Sequence, residues 1–280
     1  MKKCAIVCCS DGRTETEHDS IELLKNKLIC LDLECTKSKY IFKTENSCNS
    51  ASPRERASVL NDLFRKNTDF IFDISGGNTS NELLPYLDYN AIGASSSVLW
   101  GYSDLTTIIN AVYTIVGKAS VFFQIKNIVG KSSFLQTERF SRFLNKSDNS
   151  LFDIDYKMIS GNKMQGIVVG GNIRCFLKLA GTRYFPDLSG KLLLIEGFHT
   201  DEAELRTYLN QLYQLRAFDK LNGVIIGNFT KLDNSDRSSL ASMLLYELIS
   251  DRLPVAKTFD IGHAHDSKAI VIGKELSLHS

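Results

Sequence analysis

From residue 4 to residue 117, short apolar runs alternate with amphipathic stretches, and this rhythm restricts the possible folds most. CAIVCC (4–9), DFIFDI (69–74) and SSVLW (96–100) have the length and branching of buried strands. Between the first two, Asp19 can cap a helix that carries Ile21, Leu24 and Leu28 on one face. Ser52-Pro53-Arg54-Glu55 has capping-box spacing with proline at the first helical position. The helix it opens runs to about Lys66 and buries Leu60 and Leu63 or Phe64. Another helix starts near Thr79 or Ser80, and TTIINAVYTIVG forms one after Ser103. Strands separated by helices pair in parallel, with helices on both faces of the sheet. The expectation for residues 1–125 is therefore an α/β domain with a Rossmann-like parallel sheet.

Residues 126–160 read differently. KSSFLQTERFSRFLNKSDNS is polar and weakly periodic, which suggests a linker or flexible crossover. Beyond it, GIVVG, IRCFLKL, KLLLIE, NGVIIGNF, VAKTF and AIVIG read as short strands. Two helices interrupt them. One follows Asp201, with Glu204 at capping-box spacing and Leu205, Leu209, Leu212 and Leu215 in register; the other follows Ser235. Residues 161–280 are thus expected to form a second, β-rich domain with a mixed sheet.

The 280 residues are 43% hydrophobic and 23% charged, enough for a sizeable core. A formal net charge of +1 supplies no global field for a nucleic-acid polymer or an anionic membrane. No apolar run approaches the roughly 18 residues that span a bilayer. Met1-Lys2-Lys3 before CAIVCC superficially resembles a signal peptide, but its apolar part is short and Asp11 and Arg13 follow at once. Seven cysteines, an odd number without a CxxC pair, argue for reduced thiols in a cytoplasmic protein rather than a disulfide framework or a zinc site. Neither a metal nor a cofactor is expected.

Four segments could carry chemistry. In Trp100-Gly101-Tyr102-Ser103-Asp104 an apolar strand runs through a glycine to a serine that opens a helix, the layout of a nucleophile elbow. The helix N-terminus behind it offers backbone N–H groups to an oxyanion. The usual Gly-x-Ser-x-Gly is not completed, and taken alone the serine reads more readily as a helix N-cap. A serine nucleophile needs a base. Among five histidines, His263 follows a strand and a glycine, where it can face a cleft, although a structural histidine fits that place too. Glu196 closes KLLLIE, either at the solvent edge or aimed into a site as the carboxylate that orients a histidine. Gly76-Gly77-Asn78-Thr79 lets bare backbone approach a ligand or merely makes a tight turn. No Gly-Lys-Ser/Thr follows, which disfavours a nucleotide P-loop.

Together these segments resemble the LD-carboxypeptidase family of serine peptidases, which includes murein LD-carboxypeptidases and microcin C immunity peptidases. The resemblance runs over about residues 3–275. It rests on SPRER with LNDL (52–63), ISGGNTSNELLPYLDY (74–89), WGYSDLT (100–106), GGNIRCFLKLAGTRYFPDLSGKLLLIEG (170–197), and NGVIIGNF with IGHAHDSKAIVIG (261–273). It implies Ser103 as nucleophile, His263 as general base and then acid, and Glu196 as its orienting carboxylate. It implies an oxyanion hole from the backbone N–H groups of Gly77 or Gly76 and of Asp104, in a cleft between the two domains. Dimers are common in the family, so a homodimer is a further expectation.

The implied reaction hydrolyses an amide bond in a small peptide, such as release of the terminal D-amino acid of a murein tetrapeptide. The alternatives are an immunity-like peptidase acting on peptidyl or aminoacyl nucleotides, and a family member that binds a peptide without cutting it. The form of the Gly-Gly segment looks more like the immunity branch. That branch stacks the substrate's base on an aromatic; the only tryptophan here, Trp100, lies at the elbow, so Tyr184 or Phe185 would have to substitute. Asn78 and Trp100 are further substrate-binding candidates, and Lys178 and Arg183 are candidates for the cation near the leaving residue. Two segments depart from the family pattern: FFQIKNIVG (122–130) replaces a Gly-Pro element, and AHDSKAIVIG follows the histidine where prolines and an asparagine are usual.

Overall fold

The structure, a computed structural model, describes residues 1–235 and 237–280. Two six-stranded sheets organise it. The first contains β1 (Lys2–Val7), β2 (Leu33–Lys37), β3 (Phe70–Asp73), β4 (Val98–Gly101) and β5 (Ser120–Phe122), all parallel, in the order 2-1-3-4-5. The second contains β6 (Lys157–Ser160), β7 (Lys163–Asn172), β8 (Leu192–Gly197), β9 (Gly223–Phe229) and β10 (Val255–Lys257). Strands β7 to β10 are parallel, and β6 adds an antiparallel edge. The chain then returns. β11 (Ile270–Ile272) pairs antiparallel with β5, and β12 (Glu275–His279) pairs antiparallel with β7. AIVIG, expected in the second sheet, therefore closes the edge of the first.

The helices α1 (His18–Cys30), α2 (Pro53–Arg65), α3 (Tyr89–Ala94) and α4 (Thr106–Val116) belong to the first alternation. Ile21, Leu24 and Leu28 are the buried face of α1, as its spacing requires, but the helix starts at His18, so Asp19 lies inside its first turn rather than at the cap. The capping box of α2 forms as read: the Glu55 N–H donates to Ser52 Oγ at 3.3 Å, and the Ser52 N–H to the Glu55 carboxylate at 3.1 Å. Near Thr79 the chain makes a 3₁₀ stretch, Ser80–Tyr86, because Pro85 cannot continue an α-helix.

The polar stretch after residue 125 is not a structureless crossover. It contains α5 (Ser133–Leu144), whose Phe140 is buried against Phe72 and Trp100 of the first sheet and whose buried Gln136 donates to the carbonyls of His265 and Ser267. Phe140 and Phe143 stand edge-on to Trp100 at 5.8 and 5.2 Å. Two aromatics and one glutamine are too few to register as a helical stripe among so many polar residues. IRCFLKL is likewise no strand. It forms α6 (Ile173–Leu177), because Asn172 caps it by accepting from the Cys175 N–H at 3.3 Å. The remaining helices are α7 (Glu202–Gln214), α8 (Thr230–Asp233) and α9 (Leu240–Ile249). Asp201 caps α7 as expected, with the Glu204 N–H at 3.0 Å; Leu205, Leu209 and Leu212 are buried and Leu215 is exposed.

Strand order reverses beside β1, so the loops after β1 and β3 diverge and leave a crevice at the carboxyl ends of the strands. The Ser10-Asp11, Gly76-Gly77 and Tyr102-Ser103 segments all lie at this edge.

Candidate active site

Ser103 sits at the end of β4 with φ of +54°, in the left-handed region that a non-glycine residue occupies only when its surroundings hold it there. The turn closes with the Leu105 N–H on the Tyr102 carbonyl at 3.0 Å. It needs Gly101, since a Cβ there would collide with the Leu105 side chain. The Thr106 hydroxyl donates to the Ser103 carbonyl at 2.6 Å and accepts from the Asn172 N–H at 3.0 Å, which ties the elbow to the second sheet.

Glu196 lies at the end of β8 and is fully buried. One of its oxygens accepts from Asn172 Nδ2 at 2.9 Å, and the other lies 2.7 Å from His263 Nδ1. Two glycines make room for it: a Cβ at Gly227 would stand 3.0 Å from the Glu196 Cβ, and one at Gly262 would press on Asn228 at 2.9 Å. The carboxylate fixes the imidazole by Nδ1 and leaves Nε2 to meet a hydroxyl. Two aromatic rings lie against the imidazole. Phe198 stacks on it at 4.8 Å, and Tyr102, the residue before Ser103, lies at 5.5 Å. Burial pushes the Tyr102 phenol up to about 12, so it stays neutral beside the imidazole.

The Gly-Gly loop is clamped from two sides. From the loop after β1, the Asp11 carboxylate accepts from the Asn78 N–H at 2.9 Å and the Thr79 hydroxyl at 3.0 Å. From α6, Arg174 donates to the Gly77 carbonyl at 3.0 Å, and Lys178 just beyond it donates to the Asn78 carbonyl at 2.9 Å. Gly77 has φ of +122°, and a Cβ there would collide with the Asp11 carboxylate. Gly76 is different: its Cβ would meet only Ser103 Oγ, at 3.9 Å. The loop therefore presents bare backbone to the serine.

Asp104 is buried. Its carboxylate accepts from Ser10 Oγ at 2.6 Å and the Ser80 N–H at 2.9 Å, and it pairs with Lys178. Burial works against its ionised form, but Lys178 and the two donors outweigh burial and hold the carboxyl below its usual range.

The geometry sets Gly76 against Ser103, Tyr102 against His263 and His263 against Glu196, and reassigns other candidates. Trp100 is no substrate contact; it is buried in an aromatic cluster with Phe70, Phe72, Phe123 and Phe140. Lys178 is taken up by Asp104 and the loop. Asn78 is exposed, but its side chain is engaged by Arg174. Arg183 is exposed and lies over Tyr184 rather than in the crevice. Tyr184 in turn stacks on Tyr89 at 6.1 Å, and Phe185 packs on Phe176 at 5.0 Å. Sequence reasoning missed Asp11, Asn172 and Arg174. Asp11 had one signal, its place in the loop after the first parallel strand.

Residues 4–123 match the LD-carboxypeptidase N-terminal domain, and residues 165–278 match the LD-carboxypeptidase C-terminal domain. The chain belongs to the LD-carboxypeptidase family. It is 26% identical to the Escherichia coli microcin C7 self-immunity protein MccF over 82% of this chain and 76% of that protein. It is 24% identical to a probable murein peptide carboxypeptidase of Bacillus subtilis over 85% of this chain and 78% of that one. In fold it is similar to MccF in complex with glutamyl sulfamoyl guanosine, with a TM-score of 0.87 and 23% identity over 99% of this chain and 93% of that one. A muramoyltetrapeptide carboxypeptidase from Oxalobacter formigenes has the same fold, with a TM-score of 0.81 and 21% identity over 100% and 95% of the two chains.

Proposed function

We propose that the chain is a serine carboxypeptidase that removes the terminal D-residue from an L,D-peptide of the murein tetrapeptide type, with Ser103, His263 and Glu196 as its triad. The observation that carries this reading is the buried contact of His263 Nδ1 with Glu196 at 2.7 Å, with the imidazole 5.5 Å from Tyr102, the residue before a serine held at φ of +54°. His263 takes the Ser103 proton through Nε2 as Oγ attacks the scissile carbonyl. The N–H groups of Gly77 or Gly76 and of Asp104 receive the oxyanion. His263 then protonates the departing amine, and water repeats the cycle on the acyl-enzyme. The triad order along the chain, Ser, Glu, His, is one that hydrolases of this chemistry use.

A second reading, cleavage of an aminoacyl or peptidyl nucleotide, is favoured by one feature. Phe198 is 41% exposed and lies flat on His263, where a base could stack. Against it, Tyr184 and Phe185 are occupied by neighbouring aromatics. Parallel turnover of an L,D-tetrapeptide and of glutamyl sulfamoyl adenosine by the full chain tests both. Release of D-alanine that Ser103→Ala abolishes supports the first reading. Cleavage of the nucleotide alone supports the second.

A further inference from the structure

A cavity of about 560 Å³ opens beside His263. Its walls include Arg13, Tyr102, Lys126, Lys131, His263 and His265. Three fixed cations thus border one space next to the imidazole. Two carboxylates oppose them: Asp266, which is exposed at the rim, and Glu17, which bonds Lys126 at 2.7 Å and also pairs with Arg13. A positive charge is left over. Burial disfavours the Glu17 carboxylate, but Arg13 and Lys126 outweigh that and bring it down to about 2, so it remains ionised as the bridge between them.

Arg13 is placed firmly. Its N–H donates to the Ile41 carbonyl and its carbonyl accepts from the Lys43 N–H, both at 2.8 Å. Its Nε is buried and has no hydrogen-bond partner among the described residues. A guanidinium has five donors in a planar fork that fits a carboxylate bidentately, and an unmet buried donor costs free energy. Lys126 comes from the 122–130 segment, and His265 and Asp266 from the stretch after His263, the two places where the sequence departs from the family pattern.

The side of the site matters. The imidazole that accepts the Ser103 proton must later protonate the leaving amine, so the leaving half of the substrate lies on the His263 side. In a carboxypeptidase that half is one amino acid with a free carboxylate, within about one residue length of the scissile bond, roughly 3.5 Å. We propose that Arg13 and Lys126, bridged by Glu17, form the subsite for the free carboxylate of the departing C-terminal residue. This rests on the serine carboxypeptidase reading above. It moves the leaving-group cation from Lys178 and Arg183, which the fold uses elsewhere, to a pair that shares a cavity with His263.

The test compares the full chain with its Arg13→Gln, Lys126→Gln and Lys126→Arg variants on an L,D-tetrapeptide ending in D-alanine and on the same peptide as its C-terminal carboxamide. The wild type is expected to favour the acid at least tenfold in kcat/KM. Both glutamine variants should bring the acid-to-amide ratio close to one, mainly through KM for the acid, and Lys126→Arg should restore it. Lys126→Gln carries the test if Arg13→Gln fails to fold. A wild type that cuts amide and acid equally, or glutamine variants that keep the ratio, would overturn the assignment. So would an effect of Arg13→Gln on glutamyl sulfamoyl adenosine but not on the acid, since the pair would then serve a sulfamoyl anion. Labelling of Ser103 by a fluorophosphonate separates the two levels of failure. Labelled enzyme that cuts both peptides without acid preference sinks the subsite alone; absence of turnover of either peptide sinks the peptidase reading and the subsite with it.

Discussion

Asn172 and Glu196 meet at 2.9 Å with both side chains buried, and through this contact the elbow and the base are joined. The backbone of Asn172 donates to Thr106, whose hydroxyl holds the Ser103 carbonyl, while its side chain holds the carboxylate that orients His263. Glu196→Gln keeps the volume of this link and removes its charge. An amide NH₂ would face either Asn172 Nδ2 or the His263 N–H, donor against donor. The expected result is a fall in kcat of about 10³-fold to 10⁴-fold with little change in KM, by analogy with loss of the orienting carboxylate in other triads. Steady-state kinetics on the L,D-tetrapeptide checks it.

Lys178→Met tests the cation under the Gly-Gly loop. Asp104 would keep Ser10 and Ser80 as donors but lose its counter-ion in a buried site. Breaking such a pair from one side costs about 3 kcal/mol or more. Urea unfolding should show this loss, and adding Asp104→Asn to the same chain should recover part of it. Equal stability of Lys178→Met and wild type would show that the pair is solvated.

The two glycines of the loop should respond differently to alanine. At Gly77 the new methyl collides with Asp11 and the φ of +122° is unfavourable, so the variant should lose stability, visible as a lower Tm. At Gly76 the methyl finds space but lies 3.9 Å from Ser103 Oγ, where substrate must enter. Gly76→Ala should keep its Tm and lose activity.

Asp73 supplies a pH dependence of definite sign. It is fully buried, and burial raises its carboxyl from 3.8 to about 6 despite donors from the Cys9 N–H at 2.6 Å and the Ser75 N–H at 2.7 Å. The native state therefore holds this proton more tightly than the unfolded state does. The group's contribution falls as pH rises from about 4 to about 6 and is constant beyond that, a change of ~3 kcal/mol in all. Unfolding of wild type and Asp73→Asn at pH 4 and at pH 6.5 isolates it: the variant should gain on the wild type as pH rises across this window. A difference independent of pH would contradict the sign.

The α/β alternation was legible because each early helix carries its own cap and stripe, as Ser52 to Glu55 and Ile21, Leu24 and Leu28 illustrate. The triad candidates were legible because strand ends and glycines flag them locally. What stayed hidden depends on distant partners. Trp100 reads as an elbow aromatic until α5 packs Phe140 and Phe143 against it. Lys178 reads as a surface charge until the fold brings Asp104 to it. Ile173 to Leu177 look like a strand because all but Arg174 are buried, which removes the helical period. Arg13 and Lys126 are over a hundred residues apart, and neither has a local signature.

The central claim is that Ser103 is the nucleophile, activated by His263. Treating the full chain with a fluorophosphonate and locating the adduct by peptide mass spectrometry tests it directly. The expected result is one adduct on Ser103, formed much more slowly in His263→Ala and Glu196→Gln. An unlabelled Ser103 in folded protein, or a rate that ignores His263, would contradict it.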